Sequence, residues 1–333
     1  MFLTKFKQNR RGYYSFLIFI FLFLSTFFAE LIANDKPLLV RFKGDFYFPI
    51  LKSYPENIFT NQLKTTADFR DPMVQKSIKE NGWIIFPLIN FSFDTINYQI
   101  NSPAPSKPTL TNLLGTDDQG RDVLARLIYG VRISLIFGLI LSFFSAILGI
   151  FLGAIQGYFG GIYDLILQRF IEIWSSMPVL FLLIILSAII EPSFFILLTL
   201  MLLFSWMSLV SVVRAEFLRL RNFDFVRAAK ALGASDSRII FCHILPNASP
   251  VILASLPFLL AGSITTLTSL DFLGLGLPSQ SPSLGELLAQ GKNNLNAPWL
   301  GISGFMILSI ILTILVFIGE AFRDAFDVRI ARK

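Results

Sequence analysis

Long apolar runs alternate with short charged ones along this chain. A hydrocarbon core of about 30 Å needs about 20 apolar residues per helix. Six stretches reach that length, at roughly 15–33, 131–157, 164–190, 194–213, 248–275 and 300–320. The third opens with Asp164, Arg169 and Glu172, so its apolar part begins near Trp174. The fifth contains Pro257, which predicts a kink of the kind that neighbouring helices tolerate in a membrane.

The basic residues between these stretches predict an orientation. Lys5, Lys7, Arg10 and Arg11 precede the first stretch. Arg214, Arg219, Arg221, Arg227, Lys230 and Arg238 lie between the fourth and fifth, and Arg323, Arg329, Arg332 and Lys333 follow the last. Short loops rich in Lys and Arg stay in the cytoplasm. An even number of spans puts all three clusters on one side, so both termini and the 214–247 loop are expected there. Residues 34–130 then lie outside. The first stretch reads as an uncleaved anchor rather than a signal peptide, because Leu31–Ala33 makes a poor A-x-A site. The expected organisation is a cytoplasmic tail and first helix (1–33), an external insertion and linker (34–130), a five-helix core (131–320) and a cytoplasmic tail (321–333).

Composition agrees. Hydrophobic residues make up 54% and charged residues 15%, with a mean hydropathy of +0.66. Soluble domains carry about 25% charged residues. The net charge of +6 reports loop charges that set orientation, so no nucleic-acid binding is read from it. One Cys and one His exclude an internal disulfide and a His/Cys metal cluster. Cys242 and His243 are adjacent, and on a helix they point in different directions. The chain contains no G-x-x-x-x-G-K-[ST] run, so any nucleotide is expected on another polypeptide.

Residues 34–112 are the sizeable region outside the apolar stretches. Leu38–Phe42 and Phe46–Ile50 flank Gly44 and predict a β-hairpin. Further strand-like runs lie near Trp83–Ile100, and Pro103–Pro108 is a stiff linker. No nucleophile–base constellation occurs here. The region is either a small cap on the membrane part or a docking surface for a partner, and the two are compatible.

The polar run Arg227–Pro246, RAAKALGASDSRIIFCHILP, stands between the fourth and fifth stretches. Asn222 or Asp224 can cap a helix that continues to Leu232, with Gly233 at its left-handed end. Ser235 can cap a second short helix, ended before Pro246. Ala228 and Ala229 are small enough to let another surface approach. Such a hairpin is a stiff lever on two spans, or else a solvated surface element.

Other positions carry alternatives. Ser145, Gly149, Gly153 and Gly157 form a small-residue stripe that packs either inside this chain or against a partner chain. Arg169 and Glu172 are spaced to form an ion pair or a gate. Asp271, close to the outer end of the fifth stretch, either touches substrate or caps a broken helix before Gly274 and Gly276. Gly120, Arg121 and Asp122 set the angle of the second stretch or line an outer mouth.

Three segments together resemble a known family. The 228–246 pattern, AA, three residues, Gly, a spacer and then Leu-Pro, resembles the coupling loop of ABC importer permeases. LGTDDQGRDVLARLIYGVRISL (Leu114–Leu135) and DFLGLGLPSQSPSLGELL (Asp271–Leu288) resemble segments of the oligopeptide, dipeptide and nickel permeases. RRGYYS (Arg10–Ser15), ELIANDKPLLVRF (Glu30–Phe42) and Asn81–Trp83 look like the Yej-type branch, which is linked to peptide and microcin C uptake. There are departures from the broad pattern. Arg227 stands where an acidic residue is usual, Asp271 where Ser is common and Leu284 where Trp is common. No ion pair is therefore carried over to Arg227.

The resemblance implies an all-α, six-helix type I importer permease with a small β-containing external insertion, in a bacterial inner membrane. The coupling loop is carried over to Asp224, Arg227, Ala228, Ala229, Gly233, Ala234, Ser235, Ile244, Leu245 and Pro246. The implied partners are a second permease subunit, ABC ATPase subunits or a fused double ATPase carrying ATP and Mg, a periplasmic substrate-binding protein and the lipid bilayer. The implied activity is ATP-driven import of peptides or peptide-like compounds. A self-contained secondary transporter and a metal-chelate substrate are the rival readings. No internal repeat, the usual mark of the former, is visible.

Overall fold

The structure is a computed structural model and describes residues 2–60, 64–100, 102–278 and 280–326. Arg329, Arg332 and Lys333 of the last basic cluster, and Ser279 of the third motif, lie outside the described residues.

The chain begins with α1 (Phe2–Gln8), α2 (Arg10–Phe27) and α3 (Ala29–Ile32). Strands β1 (Leu39–Phe42) and β2 (Asp45–Tyr47), helix α4 (Pro72–Asn81) and strand β3 (Gly82–Ile85) follow. The long apolar part comprises α5 (Val123–Phe159), α6 (Gly161–Ser175), α7 (Val179–Ser187), α8 (Phe194–Ser205) and α9 (Met207–Leu220). The short helices α10 (Asp224–Ala231) and α11 (Asp236–Arg238) lead to α12 (Leu245–Phe272), α13 (Leu284–Asn293) and α14 (Pro298–Phe326). Two compact units result. The first holds the described residues of 1–21, 134–278 and 308–333, and the second those of 22–133 and 279–307.

Among the described residues four helical segments are long and apolar enough to cross a membrane: Val123–Phe159, Phe194–Leu220, Asp236–Phe272 and Pro298–Phe326. A fifth arises if α6 and α7 are one broken span. The expected third span is thus not straight. It bends by 58° between α6 and α7, at Ser176–Pro178. Pro178 has no N–H to continue the helical ladder, which explains the break. The first apolar stretch, expected at 15–33, lies largely in α2, which begins at Arg10 and gives way to α3 after Phe28, and α2 is not among these segments. The fifth runs from Asp236 rather than 248.

In the first unit, a core of Phe137, Leu141, Leu183, Leu197, Met201, Leu267 and Leu270 joins α5, α7, α8 and α12. Phe6 on α1 and Phe16 on α2 pack with Ala321, Phe322 and Ala325 of α14. In the second unit β1 and β2 pair antiparallel, Val40 with Tyr47 and Phe42 with Asp45. Lys43 and Gly44 between them both have positive φ, as a two-residue hairpin with the strand twist requires. β3 joins the other edge of β1, giving the order β2-β1-β3. Val74 and Ile78 of α4 close a small core with Val40, Phe42, Phe59 and Phe69. Asp71 caps α4 by accepting from the Met73 N–H at 2.7 Å, and Pro72 occupies the first turn, where its missing N–H costs nothing.

Candidate functional site

The segment joining α9 to α12 is rooted on its inner face and bare on its outer one. The period of α10 turns Val226 and Ala229 inward. They are buried with Tyr158, Phe217, Leu220, Ile239 and Ile244 in one apolar cluster. Asp224, Arg227, Ala228 and Ser235 point outward. Phe223, Phe225, Leu232 and Phe241 are exposed as well, Leu232 to 88%. A small apolar patch on a charged helical tip has the composition of a protein contact.

Helix α10 ends in a Schellman turn. The Ala234 N–H donates to the Ala229 carbonyl at 3.1 Å, and the Gly233 N–H to Lys230 at 3.0 Å. Gly233 has a φ of +78°, the left-handed conformation that this closure needs. Ala234 packs back on the cluster and completes the motif.

Three expectations are corrected. Neither Asn222 nor Asp224 caps α10; Phe223 occupies that position without a side-chain cap. The Asn222 amide turns back to the Leu218 carbonyl, and Asp224 lies 3.9 Å from Arg227. The second short helix does not stop before Pro246. It passes through a wider π turn, Ile239–Ile244, straight into α12. A π turn shifts the hydrogen-bond register, so the ring and missing N–H of Pro246 fit without a break. Ala229 is core, so of the two alanines only Ala228 offers a small outer surface. Ile244 is buried, Leu245 is partly buried and Pro246 is exposed.

Tyr158, at the end of α5, ties this segment to the bundle. Its hydroxyl donates to Asp236, its ring lies 5.0 Å beneath the Lys230 ammonium, and its carbonyl accepts from Arg221 at 3.3 Å. Arg214 of α9 forks onto Asp164 of α6 at 2.5 and 2.7 Å. Sequence reasoning missed Tyr158 and the Arg214–Asp164 pair. Their partners lie 50 or more residues away, so the only local signal was a polar group at a helix end.

The small-residue stripe lies against the end of α8 and along α9 in a four-residue register. Ser145 bonds Ser205, while Gly149, Gly153 and Gly157 face Leu209, Val213 and Phe217. Lys or Leu at any of these glycines has no room, because even a Cβ would lie within 3.0 Å of the α9 surface. Arg169 and Glu172 pair at 2.5 Å on an exposed face. Asp271 accepts the Leu277 N–H at 2.7 Å and so holds the turn after α12. Cys242 is exposed, and the His243 carbonyl accepts from Asn247.

Within the second unit, the second and third motifs meet in a buried ionic knot. Arg121 bonds Asp117 at 2.7 Å and reaches Glu286 at 3.2 Å. Arg126, fully buried, bonds Glu286 and lies 3.5 Å from Asp117. Burial pushes the Glu286 carboxyl above the usual carboxylate range, and Arg126 and Arg121 pull it back. Asp122 caps the start of α5 through the Ala125 N–H at 2.8 Å, which sets how that helix begins. Arg126 and Glu286 were not singled out from sequence, because 160 positions separate them.

Residues 145–332 match the family model described as binding-protein-dependent transport system inner membrane component. The chain is 58% identical over 324 residues to the inner membrane ABC transporter permease protein YejE of Escherichia coli K12, covering 97% of this chain and 95% of that protein. It is 55% identical over 348 residues to the peptidoglycan transport system permease protein YejE of Agrobacterium fabrum, covering 97% and 91%. The fold resembles a chain of the inward-facing MetNI methionine ABC transporter, with a TM-score of 0.52 at 18% identity, over 61% of this chain and 97% of that one. The chain belongs to the family of inner-membrane components of binding-protein-dependent transport systems.

Proposed function

We propose that this chain is the permease subunit of an ATP-driven importer of peptides or peptide-like compounds. Its 224–246 segment is the contact through which a separate ATPase moves the bundle. The observation that carries the reading is the two-faced segment itself. Val226 and Ala229 root it in the cluster of α5, α9 and α12, while Phe223, Phe225, Leu232 and Phe241 are left bare. A partner that grips the bare face displaces α9 and α12 together, as in rigid-body switching.

In this reading ATP and Mg bind the ATPase, a second permease completes the pathway and a binding protein delivers substrate on the far side. The bent α6–α7 pair is one span and α2 is another, which makes six helices with both termini and the coupling segment cytoplasmic. Residues 34–112 then lie on the outer side. Peptides are the substrate class because the 114–135 and 271–288 segments resemble those of oligopeptide and dipeptide permeases.

The test is Gly233→Asp. A Cβ at Gly233 meets nothing within 4 Å, and Asp tolerates the left-handed region better than most residues. The variant is expected to insert normally and to lose ATP-dependent uptake, since it puts a charge on the docking tip. Undiminished uptake would count against the lever.

A further inference from the structure

The first unit contains a cavity of about 650 Å3 between α5, α7, α8, α9 and α12. No charged side chain among the described residues lines it. Its polar wall consists of hydroxyls, among them Ser208, Ser255, Ser263 and Thr266. Ser255, Gly262 and Thr266 recur at seven and four residues along α12, so they share one face of that helix. Ser255 is partly exposed and Thr266 exposed. A Cβ built on Gly262 meets nothing within 4 Å. The cavity wall is mainly apolar, and these positions put a hydroxyl-bearing strip on an open face of α12.

The hydrogen-bond state of these hydroxyls narrows what they recognise. Each already spends its proton on its own helix. Ser208 donates to Ser205 at 3.0 Å, Ser255 to Val251 at 2.9 Å, Ser263 to Leu259 at 2.9 Å and Thr266 to Gly262 at 2.9 Å. A hydroxyl has one proton and two lone pairs. With the proton committed, Ser208, Ser255 and Thr266 keep only acceptor capacity toward the cavity, while the buried Ser263 is also bonded to Ser142 of α5. Such a wall offers nothing to a carboxylate or phosphate oxygen and matches N–H groups. Leu141, Leu180, Leu183 and Phe258 also line the cavity and supply apolar contact.

We infer that this cavity is this subunit's share of the transport path, and that its acceptor wall reads the backbone N–H groups of the substrate. This deepens the permease reading and rests on it. Weak, one-sided hydrogen bonding suits a conduit, because a substrate held by single neutral bonds can be passed on.

The experiment uses the assembled importer in proteoliposomes with its own binding protein. Uptake of trialanine is compared with that of the analogue methylated on both backbone amide nitrogens. The wild type is compared with Ser255→Ala/Thr266→Val, which removes two hydroxyls and nearly preserves shape. Because binding protein and peptides are common to both, the change in the uptake ratio belongs to the cavity. The preference for trialanine is expected to fall about five-fold in the double variant, the loss equivalent to one hydrogen bond. Gly262→Leu, which fills open space, is expected to cut uptake of both peptides at least ten-fold while still co-purifying with its partner subunits. An unchanged ratio in the double variant, or wild-type uptake by Gly262→Leu, overturns the inference. So does a phospholipid that co-purifies with the wild type and is lost from Gly262→Leu, because the cavity is then a lipid seat. A wild-type importer that moves neither peptide overturns the peptide reading of the substrate, a result distinct from an unchanged ratio.

Discussion

The contact between α5 and α9 yields a graded prediction. An Ala Cβ at Gly149 would lie 2.9 Å from the Leu209 Cβ and 3.0 Å from the Trp206 carbonyl oxygen. At Gly153 the same atom would lie 2.7 Å from the Val213 Cβ and 2.8 Å from the Val210 oxygen. At Gly157 it would overlap the Phe217 Cβ outright and lie 2.7 Å from the Arg214 oxygen. These obstacles are backbone atoms and Cβ atoms, which move only if the helix moves. Overpacking of this kind costs about 1–3 kcal/mol, against a gain of about 0.5–1 kcal/mol for Gly→Ala in a helix. The net cost is therefore expected to rise from about zero at Gly149→Ala to about 2 kcal/mol at Gly157→Ala. Gly262→Ala, which meets open space, is expected to be neutral or to stabilise by up to about 1 kcal/mol. Reversible unfolding of the purified variants in mixed micelles, followed by helical circular dichroism, reads the series. Equal losses at Gly157 and Gly262, or a reversed order along the stripe, would refute the packing argument.

Further outcomes follow from burial and from unpaired groups. Glu286→Leu removes the carboxylate that pairs with both Arg126 and Arg121 inside the second unit, and should cost about 3 kcal/mol in the same unfolding assay. Arg169→Ala breaks a 2.5 Å pair that is 69% and 46% exposed and should change stability by less than about 1 kcal/mol, so equal effects would sink the distinction. Gln156 is fully buried, and neither amide atom has a partner among the described residues. Gln156→Met should therefore be neutral or stabilising by about 1 kcal/mol, and a clear loss of stability would show that the amide is satisfied in the membrane.

What the sequence determined by itself was whatever depends on runs of neighbouring residues. The apolar stretches of Val123–Phe159, Phe194–Leu220 and Pro298–Phe326 were legible because burial in lipid demands continuous hydrophobic length. The hairpin around Gly44 and the turn at Gly233 were legible because a positive φ has a residue signature. The 228–246, 114–135 and 271–288 patterns pointed to the family for the same reason.

Tertiary structure alone decided the pairings. That the stripe of Ser145, Gly149, Gly153 and Gly157 meets Ser205, Leu209, Val213 and Phe217 depends on which helix lies alongside, and helices apolar on every side do not announce a neighbour. Arg126 meets Glu286, and Tyr158 meets Asp236, across long separations in sequence. Pro178 and Pro246 carry the same local preference. One breaks α6 from α7 and the other rides a π turn into α12, because each outcome depends on whether the surrounding packing can hold the altered hydrogen bonds.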